Sequence, residues 1–408
     1  MTMPSRTKLV NPVDAIAPSA PYGRVRPATK ESDMTTTAPK ADRIDTEIRV
    51  DRLDVIVIGG GQAGLSVGYY LKQNGTRFLI LDANERIGGS WRTRTWDSLR
   101  LFTPVRYNGL PGWPFPGPGW SFPTARETAD YLEAYANRFD LPVLSGTKVD
   151  RLAKEGDYYV VEAGGRRFEA EHVVVATGFY GAPAVPSFSP ELAPRIVQMH
   201  SSEYRNRAQL NAGGVLVVGA GNSGADIALE LSAAHQTWLS GPDKGQVPIR
   251  IESPLRRVVL PILWFVASHV LTTRTPLGRK VRPKALADGA PRVRVKMDDL
   301  RAAGVETVPR TVGTRDGLPV LEDGRVLDVA TVIWSTGFRH DYNWIDVPVF
   351  DGDRTPIHER GIASEPGLYF VGLDFLYSFT SENVGGVRRD AKYIAKHIAS
   401  RRAEVSAR

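Results

Sequence analysis

Two glycine-rich turns, about 160 positions apart in a chain of 408 residues, carry the clearest chemical signal. The first is Gly59-Gly60-Gly61-Gln62-Ala63-Gly64, entered from the apolar run Val55-Ile56-Val57-Ile58. The second is Gly219-Ala220-Gly221-Asn222-Ser223-Gly224, entered from Val215-Leu216-Val217-Val218. Each run reads as a buried parallel strand and each turn as the opening of a helix. The glycines permit a tight turn, let a pyrophosphate approach the backbone, and let helix and strand pack closely. The helix N-terminus then offers unpaired N–H groups and a partial positive charge to the phosphates. One such turn is weak evidence; two in strand–turn–helix context predict two dinucleotides on one polypeptide.

The strand after each turn separates the two units. After the first, Phe78-Leu79-Ile80-Leu81 forms the next strand and ends at Asp82, about twenty residues beyond the glycines. A carboxylate there accepts hydrogen bonds from ribose hydroxyls and selects an unphosphorylated adenosine ribose such as that of FAD. In the second unit the matching strand, Thr237-Trp238-Leu239, ends at Ser240-Gly241 with no acid and with Lys244 nearby. The missing carboxylate removes repulsion of a 2′-phosphate, which Ser240 and Lys244 could bind, so NADP(H) is favoured over NAD(H).

Composition excludes several other chemistries. The chain has no cysteine, so it cannot use a disulfide redox pair, a thiolate nucleophile or a cysteine-ligated metal. Its seven histidines show no metal-ligand spacing, and no metal is expected. The formal net charge is +7, and the excess is concentrated: twelve Lys/Arg against only Glu252 and Asp288 lie between Lys244 and Lys296. Such a patch reads either as a solvated surface or as an attractor of a phosphorylated cofactor or an anionic membrane. No nucleic-acid motif or interleaved aromatic residue accompanies it, so no nucleic-acid partner is expected.

The elements that must position these residues divide the chain. Residues 1–50, rich in Pro, Ala, Ser and Thr without hydrophobic periodicity, read as a disordered leader that lacks the apolar core of a secretory signal. A cytoplasmic location is expected, with membrane association left open. Trp91 to Phe122 is an aromatic, Pro- and Gly-rich irregular segment. Thr128–Phe139 has helical spacing, and short strands are expected at Lys148–Leu152, Tyr158–Glu162 and Arg167–Glu169 around a Gly164-Gly165 hairpin turn. His172-Val173-Val174-Val175-Ala176-Thr177-Gly178-Phe179 is echoed by Thr331-Val332-Ile333-Trp334-Ser335-Thr336-Gly337-Phe338. With the second unit lying between the echoes, the expected α/β fold has two Rossmann-type dinucleotide-binding domains, the NADP domain inserted into a split FAD domain. The expected boundaries are 51–180 and 331–408 for the FAD domain and 181–330 for the NADP domain. The apolar stretch Val258–Leu271 holds 14 residues, with Pro261 inside, and is too short to span a bilayer. It reads as a core or interface helix, or as a membrane-surface anchor within a basic segment covering 256–284. Near the end, Gly385-Gly386 opens a helix expected to run to about Ala399. Its dipole could face the flavin, or the glycines could form a simple turn.

GGGQAG, Asp82, Gly88-Gly89-Ser90-Trp91, Ala176-Thr177-Gly178 and GAGNSG, in this order, resemble the class B flavin-dependent monooxygenases over roughly residues 52–402. The likeness is to the bacterial flavoproteins labelled as involved in cation transport, relatives of the plant YUCCA-type enzymes. The resemblance implies FAD on the first unit, NADPH on the second, and a C4a-(hydro)peroxyflavin that oxygenates nitrogen, sulfur or a carbonyl compound. It brings Gly89, Ser90, Trp91, Thr103, Val149, Gly337 and Gly386 into the candidate cofactor-binding set. Asn222 and His200 become candidate catalytic residues, with a hinge role equally open for His200. Two departures stand out. The family fingerprint survives only as His200-Ser201-Ser202-Glu203-Tyr204, and Thr103-Pro104 stands where many N-oxygenating relatives have Thr-Asn.

The sequence therefore predicts an FAD-dependent, NADPH-reduced monooxygenase acting on a small molecule and molecular oxygen. An NAD(P)H oxidase or reductase without oxygenation, and a flavin-binding regulator of a membrane transporter, are the rival readings. Trp96, Phe102, Tyr107, Trp113 and Phe115 mark an apolar, aromatic substrate region without naming the substrate.

Overall fold

The computed structural model describes residues 51–178 and 181–406, so the expected leader at 1–50 lies outside the described residues. The chain opens with β1 (Asp51–Ile58), α1 (Gln62–Gln73), β2 (Phe78–Leu81), α2 (Gly89–Thr93) and α3 (Ala125–Arg138). The strands β3 (Val143–Leu144), β4 (Val149–Glu155), β5 (Tyr158–Ala163) and β6 (Arg166–Val175) come next. β1 pairs in parallel with β2 on one side and β6 on the other, and β3 extends the row beyond β2. Alternation explains why the β1 run is apolar throughout. Val55 and Val57 pack into a cluster with Leu65 of α1, Tyr135 of α3 and a C-terminal helix, while Ile56 and Ile58 face a second cluster with Phe168 and Phe370. A parallel sheet covered on both faces needs such strands. Helix α3 starts at a capping box in which the Thr124 hydroxyl and the Glu127 carboxylate satisfy each other's backbone N–H groups.

After β7 (Ala182–Pro183) and β8 (Val197–His200) comes the second unit: β9 (Val215–Val218), α4 (Asn222–Leu231) and β10 (Thr237–Ser240). It continues through α5 (Arg256–Phe265), α6 (Pro276–Asp288), α7 (Met297–Ala302), β11 (Glu306–Val308), β12 (Thr311–Arg315), β13 (Leu318–Leu321) and β14 (Thr331–Trp334). The second sheet has the order β11-β10-β9-β14-β8, parallel throughout. The chain then passes through β15 (Phe338–Arg339), β16 (Ile345–Asp346), β17 (His358–Glu359), β18 (Ile362–Ala363) and β19 (Leu368–Phe370) to α8 (Arg388–Ser406). β19 returns to the first sheet, parallel to β6. The two passages between the sheets run side by side, since β7 and β15 pair antiparallel.

The fold is α/β with two Rossmann-like sheets, and it corrects several local expectations. The boundary at 330/331 is misplaced. Thr331–Trp334 pairs with β9 and β8, so the Thr-Gly-Phe echo marks, in each sheet, the strand beside the one that enters the glycine turn (β6 beside β1, β14 beside β9), not a return to the first. The strands expected at 167–169 and 172–175 are one ten-residue strand. The C-terminal helix begins at Arg388 and continues past Ala399 to Ser406. The hairpin at Gly164 and Gly165 is present, with positive φ at both.

Candidate active site

The first turn is built by packing around one bare position. Gly59 has φ +111, and a Cβ there would sit 2.5 Å from the Ala176 carbonyl oxygen at the end of β6. A Cβ on Gly64 would overlap the Gly59 carbonyl, so the first turn of α1 could not close onto the strand. Gly61 is different. Its φ of −79 suits any residue, and a Cβ there would meet nothing within 4 Å. It borders a cavity of about 310 Å³ into which the N-terminus of α1 opens. Asp82, buried at the end of β2, is locked in place: Oδ2 accepts from the Gly60 N–H at 2.6 Å, and Oδ1 accepts from the Asn84 N–H and Nδ2, both at 2.8 Å. Gln62, Ala63, Gly89, Ser90, Trp91, Val149, Ala176, Thr177 and Gly178 reach the same wall, so most of the expected FAD set is assembled in one place. A bare cradle at a helix N-terminus beside an oriented carboxylate fits an adenosine diphosphate moiety.

The second turn repeats this construction. Gly219 also has φ +111, its Cβ would overlap the Ser335 carbonyl, Gly224 is closed by Gly219, and Gly221 faces open space over a cavity of about 450 Å³. No carboxylate ends β10. Buried Arg292 braces the turn instead, donating to the Ala220 carbonyl at 3.0 Å and to Asp243 at 2.5 Å. That hydrogen bond to Arg292 holds the Asp243 carboxyl below its usual range. Lys244 and Arg310 bring positive charge to the cavity wall, where Gly337 also lies. Ser240 requires a correction. Its Oγ is buried, donates to the Pro309 carbonyl at 2.8 Å, and lies 2.8 Å from Thr311 Oγ1 and 2.9 Å from the Thr311 N–H. That hydroxyl is committed to joining β10 to the start of β12, and Arg310 is the cationic neighbour that the sequence reading missed.

Four further expectations change. Asn222 borders the second cavity, but its amide is spent on neighbouring backbone: Nδ2 donates to the Pro291 carbonyl at 3.2 Å and Oδ1 accepts from the Val293 N–H at 2.9 Å. It positions the segment 291–293. His200 is 2% exposed, with Nε2 2.9 Å from the Gly337 carbonyl and Nδ1 2.9 Å from Ser202 Oγ. Since a carbonyl only accepts, Nε2 carries the proton. Burial lowers the pKa and keeps the ring neutral. His200 therefore ties β8 to the passage at Gly337, which is the hinge role the sequence left open. Thr103 is not at the cavity wall; its hydroxyl donates to Asn108 Oδ1 at 2.7 Å, and Asn108 returns hydrogen bonds to the Thr103 and Pro104 carbonyls. Gly386 is a close-packing point, where a Cβ would overlap the Thr380 carbonyl, and it precedes α8 without lining the cavity.

The aromatic region divides as well. Trp96 and Phe115 are buried core, Phe115 packing on Tyr131 at 4.5 Å between centroids, while Tyr107 stacks on Trp264 at 4.7 Å. The sequence reading also missed Trp344, Asp341 and Glu382 on the first cavity's wall. Glu382 is the chemically notable one. Burial, and then the Asp374 carboxyl within hydrogen-bonding reach, push its pKa well above the carboxyl range. Two acids eight residues apart in a loop show no periodic signal that could have revealed the pair.

Paired dinucleotide turns on two Rossmann-like sheets, one followed by a carboxylate and one by cations, define a two-dinucleotide flavoprotein oxidoreductase. Residues 56–242 match the pyridine nucleotide-disulphide oxidoreductase family. The chain is 40% identical over 351 residues to an uncharacterized oxidoreductase CzcO-like of Geobacillus kaustophilus, covering 85% of this chain and 98% of that protein. It is 29% identical over 394 residues to the probable indole-3-pyruvate monooxygenase YUCCA3 of Arabidopsis thaliana, covering 86% and 87%. A flavin-containing monooxygenase from Stenotrophomonas maltophilia superposes with a TM-score of 0.70 at 29% identity, covering 86% of this chain and 99% of that one. The chain belongs to the class B flavin-dependent monooxygenase family. It is an enzyme, an FAD-dependent oxidoreductase whose cofactors are FAD and NADP(H) and whose reactants are a small molecule and oxygen.

Proposed function

We propose that this enzyme takes reducing equivalents specifically from NADPH and oxygenates a small organic molecule at nitrogen, sulfur or a carbonyl carbon. In this reading the NADP domain, ending after Trp334, is inserted between two segments of the FAD domain. One observation carries it: Gly61 and Gly221 occupy equivalent bare positions, yet only the first is followed by an oriented carboxylate. The likeness to named monooxygenases supports oxygenation as the outcome, and the indole-3-pyruvate enzymes among the relatives place 2-oxo acids beside amines and sulfides as test substrates.

Bound FAD supplies the chemistry that the side chains lack, accepting a hydride and delivering electrons to oxygen. The chain binds and orients. The N–H groups opening α1 receive the pyrophosphate at Gly61, and Asp82 accepts from the ribose hydroxyls. Lys244 and Arg310, on the wall of the second cavity, would hold the 2′-phosphate, and Asn222 fixes the segment 291–293 that follows Gly289 and Ala290 of that wall. Glu382, facing Asp374, keeps a proton at the wall of the first cavity.

A second reading, an NADPH oxidase that releases peroxide, is favoured by the Thr103 hydroxyl and the Asn222 amide, both spent on protein partners. Turnover under isotopically labelled oxygen with a panel of amines, sulfides, ketones and 2-oxo acids separates the two. Label in an organic product supports oxygenation. Peroxide equal to NADPH consumed, across the whole panel, supports the oxidase.

A further inference from the structure

Nine large hydrophobic side chains are exposed among the described residues, and six of them lie between Leu255 and Leu286. Leu255, Val258, Ile262 and Phe265 succeed one another at intervals of three, four and three, and so form one stripe along α5. Ile262 is 57% and Phe265 58% exposed. The sequence left open whether this apolar run was core or surface; its outward stripe makes it surface. The opposite side of the segment is docked. Leu260 is buried, Trp264 stacks on Tyr107, and Ser268 accepts a hydrogen bond from Arg389 on its carbonyl. The stripe is thus the outer face of an anchored segment.

Along the sequence its flanking charge has one sign between Glu252 and Asp288. From Ser253 to Ala287 there are seven Lys/Arg and no Asp or Glu. Arg257, Arg274, Arg279, Lys280 and Lys284 are exposed. No described helix is long and apolar enough to cross a membrane. We propose that α5 and α6 form a docking surface for an anionic lipid bilayer, the α5 stripe entering the acyl boundary and the basic side chains meeting the lipid phosphates. Both halves of the patch are then satisfied, as in an interfacial amphipathic helix. A second copy meeting it patch to patch would bring two basic rims together, and like charges oppose that contact. A hydrophilic polyanion would answer the charge but leave Ile262 and Phe265 in water.

The proposal is independent of the oxygenation reading and is tested with the full-length, FAD-loaded protein. Sedimentation with vesicles of phosphatidylcholine alone, or mixed with phosphatidylglycerol, should show binding to the mixed vesicles only, weakening as salt is raised. Arg279→Gln/Lys280→Gln should reduce that affinity roughly twenty-five-fold, at about fivefold per basic residue. Ile262→Glu/Phe265→Glu, both on exposed positions, should abolish it with flavin content unchanged. Failure to bind phosphatidylglycerol vesicles overturns the proposal. So does binding that neither double variant weakens, since another part of the chain would then be responsible. A wild-type dimer in sedimentation equilibrium that Ile262→Glu/Phe265→Glu converts to monomer would also overturn it, by giving the stripe to a second copy.

Discussion

The three glycines of the first turn should separate under mutation into packing residues and a ligand-facing residue. Gly61→Ala adds a methyl that meets no protein atom within 4 Å on backbone at φ −79. Its cost to the apoprotein is the weaker capping preference of alanine, below about 1 kcal/mol. Gly64→Ala drives its methyl into the Gly59 carbonyl and must part α1 from β1, costing about 3 kcal/mol or more. Cofactor binding should rank the variants differently. A side chain at position 61 stands where the pyrophosphate approaches. Losing two hydrogen bonds to a charged group, at roughly 1.5–3 kcal/mol each, weakens FAD binding by about a hundredfold to ten-thousandfold. Gly61→Val should then purify folded but colourless. Thermal unfolding of the apoproteins and calorimetric titration with FAD read the two effects separately. The reasoning is refuted if Gly61→Val keeps stoichiometric FAD, or if apo Gly61→Ala is as unstable as apo Gly64→Ala.

Lys244→Ala and Arg310→Ala should each lower the preference for NADPH over NADH by roughly tenfold, the value of one charge-assisted contact; stopped-flow flavin reduction with both coenzymes measures it, and an unchanged ratio rejects the assignment. Ser240→Ala should leave that ratio alone while destabilising the fold by about 1–3 kcal/mol, because it orphans the partners at Pro309 and Thr311. Burial lowers the pKa of His172 from 6.5 to about 4. A folded pKa below the unfolded one gives stability that is complete above 6.5 and lost as pH falls toward 4, on the order of 3 kcal/mol. His172→Gln should flatten the melting temperature across that window, and an unaltered acid slope would assign the loss elsewhere. Glu382 has the opposite sign: its raised pKa gives stability that is complete below the ordinary 4.5 and disappears as pH rises through the raised value. Glu382→Gln should therefore gain on wild type toward alkaline pH in the same scan, and a constant difference at all pH values would exclude a proton held there.

The features legible in the sequence are those encoded in local order. A glycine turn needs only the strand before it and the helix after it, so both dinucleotide units could be placed from a dozen residues each. Asp82 was equally visible, because the end of the next strand is a fixed distance along the chain. The hidden features depend on partners far away. Ser240 and Asn222 have side chains suited to a ligand, but their hydroxyl and amide are satisfied by backbone about 70 residues on, and His200 by Gly337, 137 residues away. No pattern near any of the three reports that commitment.

Periodicity has a related limit. The run Thr331–Trp334 shows that a strand is covered on both faces, which is equally true in either sheet, so it could not say which one receives it. In α5 the spacing of Leu255, Val258, Ile262 and Phe265 shows that the apolar groups share a face, and a helix packed into a core has the same spacing. Direction is decided by the other side, where Leu260 and Trp264 dock the helix and leave the stripe outward. Charge composition is what kept the surface reading open, because a core-facing helix gains nothing from seven cations with no acid among them between Glu252 and Asp288. Where apolar periodicity and one-signed charge coincide, the pair is better evidence for a surface than the apolar run is for a core.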